Sequence, residues 1–355
     1  MSTLQVSLIV AGAVVLLAVL LQGVWSARKN QPKKAVQASA PVGDGAVGTG
    51  PIEPSLDALD GRQEPAFDSS LEALTSFIAP EKKAALDVLI DVIVPISIDV
   101  QVSGEAALAA MPATRRVGSK PFAVEGLSID SGEWELPVPG QRYSAFQAGV
   151  QLANRTGALN QIEYSEFVMK AQAFADSVIG APEFPEMHDE VARARELDQF
   201  ATDHDAQLSF TLRAASTAWS PGYLQQNAAR LGFIPGAIPG RMVLPAAEKG
   251  QAPILGLSFD SQAAMAEDPE DTALRELTLS LDVPHVARGE RPFERMCEAS
   301  LALAKTMDGV IIDDNGNTIR AEAMEGIHAR LLALYDTLDG RELSAGSALA
   351  RRLFS

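Results

Sequence analysis

The apolar positions of this chain fall into three patterns. The first is continuous: from Val6 to Trp25 there are 20 residues and no charge. At ~1.5 Å per residue a helix of that length spans about 30 Å, the thickness of a bilayer's hydrocarbon core. Arg28, Lys29, Lys33 and Lys34 follow at once, and residues 1–5 carry no charged side chain. A cleaved leader has its basic residues before the apolar run, so this run reads as a retained transmembrane helix over residues 6–25. The basic flank places the body in the cytoplasm and residues 1–5 on the non-cytoplasmic side. Trp25 stands where an interfacial ring is favoured. A buried core helix is the competing reading, but no polar face interrupts the run. No GxxxG pair marks it as a dimerising helix.

The second pattern is an absence of pattern. Residues 26–80 pass from the basic flank into a stretch rich in Ala, Gly, Pro, Ser and acid, with Arg62 as its one basic residue after Lys34. Such a composition cannot bury enough apolar surface to offset its ordering entropy, so a flexible acidic linker is expected.

The third pattern mixes period 2 with period 3.6 and reads as one plan run twice through the body. In the second pass, QLSFTLRAA (207–215) alternates as a strand. Ser220-Pro221 caps a helix carrying Leu224, Ala228 and Leu231, stopped by Gly232. RMVLPA, PILGLSF and LTLSLDV (277–283) read as strands, and PFERMCEASLALAKTM (292–307) as an amphipathic helix. VIIDDNGNTI predicts a hairpin around Asn-Gly, and residues 321–338 a closing helix. In the first pass VLIDVIVPISI (88–98), SGEAALAAM (103–111), the RRVGSKPFAV and Trp134 regions, AFQAGVQLANR (145–155), residues 163–180 and residues 184–200 take the matching places. Strand 92–99 is thereby paired with 207–214, and helix 163–178 with 292–307. The fold class predicted is α+β: the transmembrane helix, the linker, then an antiparallel sheet with helices in two related copies, 84–200 and 205–338. Residues 339–355 form a tail, read as a short amphipathic helix with Leu349, Leu353 and Phe354 or as disordered. One larger α+β domain is the plainer alternative.

Charge narrows the partners. The formal net charge is −17; the first 34 residues hold +4 and residues 35–80 hold −6, leaving −15 on the rest. An acidic body argues against nucleic acid, which needs a basic stripe. The single cysteine, Cys297, rules out an internal disulfide and fits a reducing compartment. It is expected to act as a buried small hydrophobe.

Candidate chemistry is sparse. His188, His204, His285 and His328 lack partners at ligand spacing, so no metal site is expected. Asp313–Asn317 resembles the start of a calcium loop, but the sixth and twelfth positions hold Thr318 and Met324 instead of glycine and glutamate. Gly232, Gly236 and Gly240 read as turn glycines. No phosphate-binding, dinucleotide or nucleophile-elbow motif is present. The chain is therefore not expected to be an enzyme: no catalytic residues, cofactor or small-molecule substrate are predicted.

Three stretches carry a resemblance: LQQNAARLGFIPG (224–236), LTLSLDVP (277–284) and ALAKTMDGVIIDDNGNTIRAEAMEGIHARLLALYDTL (302–338). With the N-terminal anchor and linker, their order resembles the ZipA family of bacterial division proteins. The resemblance implies a six-stranded antiparallel sheet with three helices on one face. The other face would be a groove for the C-terminal peptide of FtsZ. It implies an inner-membrane, single-pass protein at the division site that anchors FtsZ filaments and helps stabilise the ring, with no catalysis. Residues 84–200 have no counterpart in familiar members, which leaves open a scaffold that binds another envelope or division protein there.

Alternation assigns the faces. Leu208, Phe210 and Leu212, with Leu277, Leu279, Leu281 and Val283, should face the helices. Ser209, Thr211 and Arg213, with Thr278, Ser280 and Asp282, should be open. By match with the family, Ile238 falls on a groove strand, and Ser258 and Asp260 on the next. The partner-binding residues expected are thus Thr211, Arg213, Ile238, Ser258, Asp260 and Ser280, several of them polar where the familiar groove is apolar. A one-residue slip would reverse every assignment.

Overall fold

The computed structural model describes Lys33, Lys34 and residues 86–355, apart from 249, 267, 269–271, 314, 315 and 320. The predicted membrane helix 6–25, and the linker 26–80 except Lys33 and Lys34, lie outside the described residues. Among the described residues no helix is long and apolar enough to cross a membrane. The body is mixed α+β with antiparallel sheets.

The first unit runs β1 (Asp91–Ser103), α1 (Gly104–Ala110), β2 (Arg116–Val117), β3 (Lys120–Ser128), β4 (Trp134–Glu135), β5 (Arg142–Gln151), β6 (Ala153–Asn154), β7 (Gly157–Ala158), α2 (Gln161–Ser177), β8 (Gly180–Pro182) and α3 (Met187–His204). Period-2 burial in β1 points Val92, Val94 and Ile96 inward, opposite Val150, Ala148 and Phe146 of β5. Helix α2 starts two residues before the expected 163, at a side-chain cap. The Asn160 side chain accepts from the Ile162 and Glu163 amides, and Glu163 reaches back to the Asn160 amide, a full capping box. Its Tyr164, Phe167, Ala171 and Phe174 seal the sheet, with Phe146 and Phe174 edge to face at 5.2 Å. Gly126 is required: a Cβ there would lie 2.4 Å from the Tyr143 ring.

The second unit runs β9 (Gln207–Ala214), α4 (Pro221–Arg230), β10 (Ile234–Pro235), β11 (Arg241–Leu244), β12 (Leu255–Ser258), α5 (Ser261–Ala264), β13 (Glu276–Asp282), α6 (Pro292–Met307), β14 (Gly309–Ile312), α7 (Ala321–Gly340) and α8 (Ala348–Leu353). Ser220 caps α4 with Pro221 in its first turn. Phe210, Leu212, Leu277, Leu279, Leu281 and Val283 are buried and Leu208 is half-buried, as the alternation requires. After β14 the chain turns back near Gly316 at φ +81°; Ile312 bridges Thr318, and the Ile319 amide donates to the Ile311 carbonyl at 3.1 Å.

The strand order β3-β5-β1-β8 of the first sheet has the same sequence of roles as β12-β13-β9-β14 in the second. Buried Tyr164, Phe167, Ala171, Phe174 and Val178 have the spacing of Phe293, Met296, Ser300, Leu303 and Met307. Each helix is followed by a left-handed residue, Ile179 or Asp308, and then by a glycine that opens the edge strand. The pairing of 92–99 with 207–214 is one residue out. Val92, Val94 and Ile96 share the inward phase of Leu208, Phe210 and Leu212, and a slip of one would turn them to the wrong face.

The tail is folded, which settles the two readings of it. Ser347 caps α8, and Leu353 and Phe354 are completely buried at the junction of the two units. The Nε2–H of His285 donates to the Phe354 carbonyl at 2.9 Å, and the Arg155 amide to the Ser355 carbonyl. Arg155 also spans the units. Its Nε and Nη2 hold both oxygens of Asp205, and its Nη1 and Nη2 hold those of Asp282, all at 2.7–2.8 Å.

Candidate peptide-binding face

Helices cover one side of the second sheet, so its other side is defined by cross-strand register. One row runs Val243, Gly256, Ser280, Ser209; the next Arg241, Ser258, Thr278, Thr211; a third pairs Glu276 with Arg213, beside Val310. The face is a field of hydroxyls with a charge pair at one end and two valines at its margins. Gly256 is needed here because a Cβ would meet the Ser280 hydroxyl at 2.6 Å.

Four of the six residues read from the sequence share this face: Thr211, Arg213, Ser258 and Ser280. Thr211 and Ser258 are half-buried, and Arg213 and Ser280 exposed. The other two do not share it. Ile238 lies 54 % exposed in the turn between β10 and β11, because Pro239 and Gly240 keep that stretch out of the ladder. Asp260 lies past the end of β12, where its carboxylate caps α5 through the Gln262 amide at 2.9 Å. Asp282, also read as open, is drawn to the junction by Arg155.

Arg213 is paired on this face. Its Nε donates to the Glu276 carboxylate at 2.7 Å, and both side chains are about half exposed. Arg241 supplies a second exposed cation three strands away. Arg241 and Glu276 are charged face residues that the sequence reading passed over. The signal was there: Arg241 alternates with buried Met242, and Glu276 with buried Leu277. Beside the Glu276 end, Ser258, Phe259, Asp260, Leu274, Arg275 and Thr278 line an open depression of about 460 Å³.

The matching face of the first unit is covered by the chain itself. Its central row is Ile93, Gly149, Ala123, and Leu86 lies directly over Gly149, where a Cβ would be 2.4 Å from Leu86 Cδ2. The Leu86 amide donates to Glu125 Oε1 at 3.1 Å, and Gln147 holds Glu125 Oε2 at 2.9 Å. Glu125 is fully buried beneath this contact.

On the helical side, Phe293, Cys297, Met324, His328 and Leu332 line a cleft of about 570 Å³ rimmed by Glu294, Glu298 and Glu325. Cys297 is half-buried there, not sealed in the core. Burial, reinforced by Glu294 and Glu298, pushes its thiol up to about 11, so it stays protonated at neutral pH. Among the described residues no group of three His, Cys, Asp or Glu side chains is placed to hold a metal ion.

The second unit is thus an antiparallel sheet backed by helices, with hydroxyls and a charge pair on its free side. Residues 262–330 match the family model of the ZipA C-terminal FtsZ-binding domain. The match bears out, over those residues, the resemblance to the ZipA family, and it supports an FtsZ-binding role in cell division. It takes in α5 from Gln262, β13, α6, β14 and the start of α7. Of the six residues expected to bind a partner, only Ser280 falls inside it. No curated protein matches the chain.

Proposed function

We propose that the chain is a membrane-anchored receptor for FtsZ, and that the tail peptide of FtsZ lies across the open face of the second sheet. The observation that carries this reading is the family match over 262–330, which includes β13, a central strand of that sheet. Residues 6–25 anchor the receptor in the inner membrane with residues 1–5 outside, as their uncharged length and basic flank support. An FtsZ polymer presents many tails, so a ring of anchored receptors gains avidity from contacts that are weak singly. The role is tethering without catalysis, and it locates the chain at the division site.

The two units are proposed to be copies of one ancestral domain, 84–200 and 205–338. Their common strand order, matched helix spacing and paired left-handed residues support this. Leu86 over Gly149 favours the second copy as the receptor. The scaffold reading for 84–200 draws support from Val100, Ile162, Met169 and Ile179, all more than half exposed on the first unit.

The test is binding of a synthetic FtsZ C-terminal peptide to the full chain, read by fluorescence anisotropy. Saturable binding that is weakened by substitution in the second sheet supports the proposal. No binding to the peptide or to FtsZ polymer overturns it.

A further inference from the structure

Lys33 stands eight residues beyond Trp25, and it lies against the second unit. Its amide donates to the Ala218 carbonyl at 2.7 Å, and its carbonyl accepts from the Ser220 amide at 2.9 Å. These two bonds flank Trp219, so Lys33 adds to the chain there as a parallel bridge, with Leu274 bridged to Trp219 on the other side. The ammonium of Lys33 donates to the Met307 carbonyl at 3.0 Å, which also accepts from the indole of fully buried Trp219 at 2.8 Å. Met307 ends α6, so a cation meets the negative end of the helix dipole, with Asp308 3.9 Å away.

We propose that the chain at Lys33 is a strap that docks in the slot beside Trp219 and ties the second unit to the chain a few residues from Trp25. The occupant of the slot is this chain's own segment. The Lys33 ammonium meets the α6 C-terminus on a body that is otherwise acidic. The membrane consequence rests on the anchor proposed above; the docking does not. Eight residues reach at most about 27 Å when extended, so a docked strap holds the receptor unit next to the bilayer. Release of the strap would let the body swing out on the full linker. Anionic lipid attracts the same lysine, so surface and slot compete for it.

The test is hydrogen exchange on the detergent-solubilised full chain, read at the Ser220 amide, beside Lys33→Pro and a chain lacking residues 1–34. Proline removes both the amide and the ammonium that hold the strap. Docking predicts that Ser220 exchanges at least tenfold faster in both variants than in the wild type. A second readout uses a protease site inserted between Gly45 and Gly50. After cleavage, the N-terminal fragment should stay with the wild-type body and leave the Lys33→Pro body. Equal Ser220 exchange in all three chains, or a wild-type fragment that leaves at once, overturns the proposal. Neither readout needs a bilayer, so failure of the anchor reading would not mimic failure of the strap.

Discussion

Arg352 in the last helix donates to the carboxylate of Asp91 at the start of β1 across 2.6 Å, joining residues 261 positions apart. Asp91 is fully buried, and its burial raises the carboxyl above its ordinary value while Arg352 opposes the rise. The same Arg352 lends its carbonyl to the Gln151 side chain at 2.8 Å. One residue of the tail thus holds the ends of two neighbouring strands.

Arg352→Gln is expected to destabilise the body by about 3 kcal/mol at neutral pH, because it leaves a buried carboxylate unpaired. The pH dependence follows from the sign. The Asp91 carboxyl titrates above its unfolded value, so its protonated form is the one favoured by folding. Loss of Arg352 raises it further. The deficit against wild type should therefore shrink as pH falls toward 4 and Asp91 takes its proton. Denaturant midpoints at pH 7 and pH 4.5 check this; a deficit that grows on acidification would contradict it.

Arg155 makes the other tie between the units, a fork to Asp205 and Asp282 about a quarter exposed. Hydrogen bonding to both carboxylates raises its already high basicity, so it stays charged throughout. Arg155→Ala should cost about 2 kcal/mol after allowance for screening, and Arg155→Lys should recover less than half. A single ammonium cannot hold two carboxylates in a fork. The loss should diminish in 1 M salt, and thermal melts at low and high ionic strength measure it.

Ile179 occupies the left-handed region at φ +55° and is 88 % exposed. A branched side chain there carries a steric cost and recovers no burial. Ile179→Gly is expected to stabilise the first unit by about 1 kcal/mol, seen as a higher melting temperature. The matching Asp308→Gly should not. Asp308 tolerates the conformation better, and its carboxylate accepts from the Ser216 hydroxyl at 2.6 Å. A gain at Asp308 equal to that at Ile179 would argue against this reading.

Elements with a regular period were readable in the sequence. LTLSLDV placed Leu277, Leu279 and Leu281 inward because a pleat alternates without exception, and Ser220-Pro221 announced α4 through its cap. Ile238 and Asp260 were misplaced because they stand in turns, where register carries no information. A pattern match that counted across Pro239 and Gly240 took them for ladder positions. The tail was ambiguous for another reason. Leu353 and Phe354 are too few to form a face of their own, and what buries them is a junction of parts distant in sequence. Pairing between distant charges, such as Arg213 with Glu276 or Arg352 with Asp91, leaves no local trace. The docking of Lys33 on Trp219 is of the same kind.

The open face yields the last prediction, which tests the proposed receptor role directly. Arg213 is paired with Glu276 across neighbouring strands, and that ion pair is half in water. Such a pair adds little to stability, so substitutions at either end should leave the melting temperature within a degree or two. Binding should respond in opposite directions. An acidic group on a bound peptide must compete with Glu276 for the guanidinium. Glu276→Gln removes the competitor and is expected to tighten the FtsZ tail several-fold. Arg213→Glu places two carboxylates side by side and removes the cation, and should weaken binding at least tenfold, the loss of one charge-assisted hydrogen bond at about 1.5 kcal/mol or more. Ser280→Glu should weaken it too, since a charge would stand among hydroxyls in the middle of the face, whereas Ser280→Ala should be tolerated. Ile238→Asp, in its turn off the sheet, should change affinity less than Arg213→Glu. Peptide titration by anisotropy beside thermal melts separates these outcomes. If Glu276→Gln and Arg213→Glu both bind as wild type does while staying folded, the tail binds elsewhere, and the acidic cleft between α6 and α7 becomes the next surface to test.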